Sequence, residues 1–146
     1  MALKLFRAGW FLSVLAVFAC LLYMYASLPE PVIIQEASDG QITMGRDAVF
    51  YVLVGTIVIV NVMVYLIRKM FEKEHDFRAW FHGLIITINI FFVIGMSHLG
   101  LYNSAERFDY SRIGFIIYGS LGLIILWAAS WPIYQLYQKI FVKHTV

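Results

Sequence analysis

The stretch that decides the fold is AWFHGLIITINIFFVIGMSHLGL, residues 79–101, preceded by the charged segment RKMFEKEHDFR, residues 68–78. It contains no Asp, Glu, Lys or Arg. At about 1.5 Å per residue, a helix of this length matches a hydrocarbon core of about 30 Å. Three further apolar runs, residues 8–28, 48–67 and 113–138, have the same character. The run at 48–67 is rich in Val and Ile, which favours strand in water. In lipid a lone strand leaves its backbone groups unpaired, so helix is expected there too. The expected fold is an all-α integral membrane protein, a four-transmembrane-helix bundle forming a single domain over residues 1–146.

Composition agrees, with 62% apolar and 14% charged residues and a mean hydropathy of +0.79. A soluble domain carries about 25% charged residues. Lys4 and Arg7 resemble the basic start of a secretory signal, but the apolar run after them is longer than about 15 residues and no small-residue cleavage site follows. The first run therefore reads as a retained span. The net charge of +2 gives no reason to expect nucleic acid.

Basic residues in the short connections set the orientation. Lys4, Arg7, Arg68, Lys69, Lys73, Arg78, Lys139 and Lys143 fall on one side, and only Arg46, Arg107 and Arg112 on the other. Both termini are expected in the cytoplasm, with a bacterial inner membrane as the setting and the bilayer as the first partner. The opposite surface carries Glu30, Glu36, Asp39, Asp47, Glu106 and Asp109. Trp10, Trp80, Tyr102, Tyr110, Trp131 and Tyr134 are expected at the two interfaces. Glu74 and Arg78 have the i,i+4 spacing of an ion pair.

Between the first two spans lies an extracytoplasmic loop or hairpin. Leu28-Pro29-Glu30-Pro31 stops the first helix, since proline cannot donate a helix hydrogen bond and excludes its predecessor from helix. Asp39-Gly40 then sits between two short extended segments, as a tight turn requires. Val32, Ile34, Glu36, Asp39, Gly40 and Arg46 are the candidate contacts for a partner.

Leu28-Pro29, Val32, Asp39-Gly40 and Gly45-Arg46, leading into an apolar span, resemble the start of the DUF1648 membrane proteins, the SdpI-like immunity and sensor group. The resemblance covers about residues 28–67. Ile33 and Ile34 stand where that group carries aromatic or polar residues. It implies a small membrane protein that binds a peptide, toxin or signalling partner through its outer loop.

Inside the spans the polar residues are few. Asn61 and Asn89 lie on consecutive helices at comparable depth and are expected to meet in an interhelical hydrogen bond. A quinone or lipid between those helices is the alternative. His98, near the outer end of the third span, is expected to hydrogen-bond at the interface or touch such a ligand. Haem needs a second histidine at that depth, and His82 lies at the other end of the same helix. His75 and His82 lack the further ligands that zinc requires, and Cys20 is a lone thiol. No metal or cofactor is expected. Without ionisable groups at mid-depth a pump or transporter is disfavoured, and no nucleophile, base and acid set is recognisable. The chain reads as a non-enzyme. Small residues at Gly9 and Ser13, and at Gly114, Gly119 and Gly122, mark expected close helix packing. An accessory or structural subunit of a larger membrane complex, such as a respiratory or secretion assembly, is the role these features favour.

Overall fold

The computed structural model describes residues 2–104 and 110–142, apart from the side chains of residues 37, 110–112 and 142. Glu106, Arg107, Asp109, Lys143 and His144 thus lie outside the described residues, as do the side chains of Tyr110 and Arg112. The chain runs α1 (Ala2–Ser27), β1 (Val32–Ala37), β2 (Gly40–Met44), α2 (Arg46–Met70), α3 (His75–Tyr102) and α4 (Tyr110–Tyr137), closing in a π-helical turn, Gln138–Val142. Among the described residues four helices are long and apolar enough to cross a membrane, with windows of mean hydropathy between 2.0 and 2.4.

Helices α1, α2 and α3 overrun their uncharged stretches at the end opposite the strands, because the flanking charged residues are good helix formers and are solvated there. Helix α1 stops where Pro29 and Pro31 remove two backbone donors. Between α2 and α3 the chain reverses in a four-residue turn, held by Phe71 N–H to the Ile67 carbonyl and Glu74 N–H to that of Phe71. The expected Glu74–Arg78 pair does not form. Arg78 is buried and donates instead to the Glu72 carbonyl at 2.9 Å, which satisfies a backbone acceptor left over by the turn.

Helix α3 is the hub against which the other three pack. Its most extensive interface is with α1, which is not its neighbour in sequence. The two run parallel, since Gly9 meets Ile86, Ser13 meets Asn89, and Cys20 meets Val93 and Ser97 in ascending order. A Cβ on Gly9 would stand 3.3 Å from the Ile86 side chain. Gly9, Ser13, Ala16 and Cys20 recur at about one turn, and this thin stripe lets the α1 backbone approach α3.

Helix α4 docks by a different device. The Trp80 indole donates to the Trp127 carbonyl at 2.9 Å, and the Trp127 indole returns a bond to the Trp80 carbonyl at 3.0 Å. Gly83 makes this possible, because a Cβ there would overlap the Trp127 ring. Gly114, Gly119 and Gly122 play no such part. Among the described residues nothing lies within 4 Å of where each Cβ would stand, so the close packing expected of them is left to lipid or to a neighbouring chain. Their glycines thin a face that the other helices leave bare.

The strands form an antiparallel hairpin, pairing Val32 with Met44 and Glu36 with Gln41 around a bulge between Ile33 and Gln35. Gly40 takes φ +136°, a conformation only glycine adopts without strain. The hairpin covers one end of the α1, α2 and α3 bundle. Beneath it Val17, Leu21, Met24, Leu28, Val49, Ile57 and Met96 form the main core, and Val32, fully buried, is its lid.

Replacing Gly83 by Ala should cost about 1–3 kcal/mol through overpacking against a ring pinned at its N–H. Unfolding in an SDS titration, followed by tryptophan fluorescence, measures the loss. Combining Gly83→Ala with Trp127→Ala should remove the part of that loss due to the clash.

Candidate functional site

Of the polar residues singled out in the sequence, Asn61 and Asn89 meet near mid-length of the bundle. Asn61 projects from α2 and Asn89 from α3, and their amides exchange two hydrogen bonds of 3.0 Å each. The second N–H of Asn61 goes to the Ile57 carbonyl at 2.9 Å, one turn back on its own helix. That of Asn89 reaches the Ser13 hydroxyl on α1, also at 2.9 Å. Ser13 passes its proton to the Trp10 carbonyl at 2.7 Å, and the Trp10 indole closes the circuit on Asn61 Oδ1 at 2.9 Å.

Three helices are thereby tied by one network. Asn89 is fully buried and Asn61 is 7% exposed. Every N–H and O–H in the set has an acceptor, which is what a buried polar cluster needs to avoid a large desolvation penalty. The same saturation bears on chemistry. A quinone carbonyl needs a donor, and the two amides have none left to offer.

Trp10 thus belongs to this network, its indole N–H spent on Asn61. A tryptophan one turn before a small residue gives little sign of it. Its ring also stands edge-on to His82 at 6.0 Å. His82 is 3% exposed, and its Nδ1 meets the Arg78 carbonyl at 2.6 Å. His98 lies far along α3, tilted against the Tyr102 ring with centroids 6.2 Å apart, and takes no part in the amide cluster. Among the described residues, no group of three or more His, Cys, Asp or Glu is placed to hold a metal ion.

A second polar cluster secures the hairpin. Asn103, just past α3, accepts from the Ile33 N–H at 2.7 Å and donates to the Ile33 carbonyl at 3.0 Å, standing in for a third strand. The Glu30 carboxylate accepts from the Arg46 N–H at 3.0 Å and lies 3.9 Å from its guanidinium. A carboxylate placed at the first turn of α2 also suits the positive end of the helix dipole. The Arg46 guanidinium lies 5.0 Å above the Tyr25 ring, and the Tyr25 hydroxyl donates to Asp47 at 2.8 Å.

Two expected partner contacts are therefore committed internally. Val32 is fully buried in the core, and Arg46 is held by Glu30 and Tyr25. Ile34, Glu36, Asp39 and Gly40 remain exposed, joined by Ile42 and Met44. Asn103 had one legible signal, an amide directly after an apolar helix. Its grip on Ile33 depends on a contact across 70 residues. Comparisons with protein-family models, with curated proteins and with solved structures find no match to this chain.

Replacing Asn89 alone by Leu strands the donors and acceptors of Asn61 and should cost about 1–3 kcal/mol. The double replacement of Asn61 and Asn89 by Leu should cost less than the sum of the single ones, by about 0.6–1.7 kcal/mol. A double-mutant cycle in SDS titration measures this coupling, and strict additivity would show that the amides do not interact.

Proposed function

We propose that this chain is a non-catalytic accessory or structural subunit of a larger membrane protein complex, such as a respiratory or secretion assembly. It spans a bacterial inner membrane with both termini cytoplasmic and the hairpin outside. The observation that carries the reading is the closed amide network: the polar side chains at the heart of the bundle spend their donors on one another. What the chain offers a neighbour is surface. On α4 no described residue lies within 4 Å of a Cβ at Gly114, Gly119 or Gly122, while Phe115 and Tyr118 stand out at 81% and 75% exposure. Glycines beside protruding rings suit close helix approach, with the rings as anchors.

Extraction in a mild detergent, followed by a native gel and mass spectrometry, should recover the chain in a particle with other membrane subunits. A particle holding this chain alone would refute the assignment.

The exposed hairpin favours a second reading, in which a peptide, toxin or signalling partner binds outside the membrane, as the SdpI-like resemblance implies. Ile42 and Met44 lie on the face shared with Val32 yet are 53% and 42% exposed. An open strand edge beside apolar side chains is suited to pairing with another strand. Ile42→Asp should then lower partner recovery at least about tenfold, as expected for burying an unpaired charge. Because Ile42 is outside the core, membrane insertion should be unaffected. Undiminished recovery would exclude the hairpin as the contact.

A further inference from the structure

The end of the bundle opposite the hairpin carries a cleft that neither the amide network nor the hairpin uses. Two adjoining cavities, of about 430 and 540 Å³, lie between the start of α3 and the last turns of α4, and share Asp76, Trp131 and Tyr134 as walls. The rings are mutually braced. Phe77 lies 5.5 Å from Trp80 and 5.1 Å from Trp131, Trp80 lies 5.6 Å from Trp131, and Trp131 lies 5.7 Å from Tyr134. The Trp80 N–H is already spent on Trp127 and Ser130, so its orientation is locked.

The charge of this cleft runs against its surroundings. Lys4, Arg7, Arg68, Lys69, Arg78 and Lys139 make this end of the chain basic. Within the larger cavity the lining is Lys73 against Glu74 and Asp76, net −1 with His75 neutral. Asp76 forms no side-chain hydrogen bond or ion pair among the described residues. Locked aromatic faces beside an uncommitted carboxylate are the chemistry that holds an organic ammonium, attracted by the ring quadrupoles and the charge together.

We propose that this cleft binds the ammonium head of a zwitterionic phospholipid from the adjoining leaflet. This rests on the membrane reading above. Two features select a lipid over a soluble amine. The smaller cavity is lined by Phe6 of α1 and by Ala79 and Trp127, apolar side chains against which acyl chains can lie. Lys73, on the wall of the larger one, is placed to meet the phosphate that follows the ammonium. The basic residues outside the cleft attract anionic headgroups by long-range charge alone; the cleft selects for the ammonium.

The test is native mass spectrometry of the full chain released from bilayers of equal parts phosphatidylethanolamine, phosphatidylcholine and phosphatidylglycerol. The two ammonium lipids should be retained roughly fivefold over phosphatidylglycerol, the scale of one cation–π contact. Asp76→Asn and Trp131→Ala should each abolish that preference. Asp76 is exposed, so its replacement leaves folding intact. Equal retention of all three lipids, or a preference surviving Asp76→Asn, overturns the assignment. So does free choline or ethanolamine competing as well as the lipid, which would make the occupant a soluble amine. Alkaline carbonate extraction separates this from the wider reading: release into the supernatant refutes the membrane assignment, whereas retention without headgroup preference refutes only the lipid site.

Discussion

A carboxamide buried among apolar helices has no water to bond, and the arrangement of this bundle follows from that constraint. Asn89 sits at the middle of α3 with both N–H groups and its carbonyl engaged, and its partners come from α1 and α2. Slide any of the three helices by one turn and several donors are stranded, each at about 1–3 kcal/mol. Individually such bonds are worth little between helices. As a closed set they fix register, while the apolar side chains around them supply area without direction.

The two ends of the bundle are finished in different ways. At one, the hairpin is secured by Asn103 and Glu30, so that Val32 reaches the core and the turn at Gly40 projects away. At the other, aromatic rings replace polar clamps, and α4 is joined to α3 through paired indole donors over Gly83. Fixed rings and a bound carbonyl make a rigid wall, and the cleft lined by Asp76, Trp131 and Tyr134 is a consequence of building that junction from bulky aromatics.

Much of this is legible in the amino-acid sequence. Uncharged runs of spanning length name the four helices, and Pro29, Pro31 and the Asp39-Gly40 pair mark a turn between the first two, leaving loop or hairpin open until the pairing of Val32 with Met44 is seen. The Asn61–Asn89 contact was legible because a short turn forces α2 and α3 together. What eluded sequence reading was pairing between elements distant in the chain. The small residues of α1 face α3, whereas Gly114, Gly119 and Gly122 of α4 meet none of the described residues, and no difference in composition separates the two stripes. Nothing local to Trp10 marks Asn61 as the acceptor of its N–H, since the two lie 51 residues apart.

Local chemistry determined by the sequence alone includes where each helix can begin and end, where the chain must turn, and that few polar groups enter the spans. These follow from hydrogen-bond supply, proline and glycine geometry, and the length of apolar runs, all of which act within a few residues. Only the tertiary structure decided that α1 lies parallel to α3, that Gly83 is the close approach, and that Val32 is core and not contact. Those depend on which faces meet, and side chains of similar polarity permit many meetings. Steric fit and the saturation of a handful of donors select one.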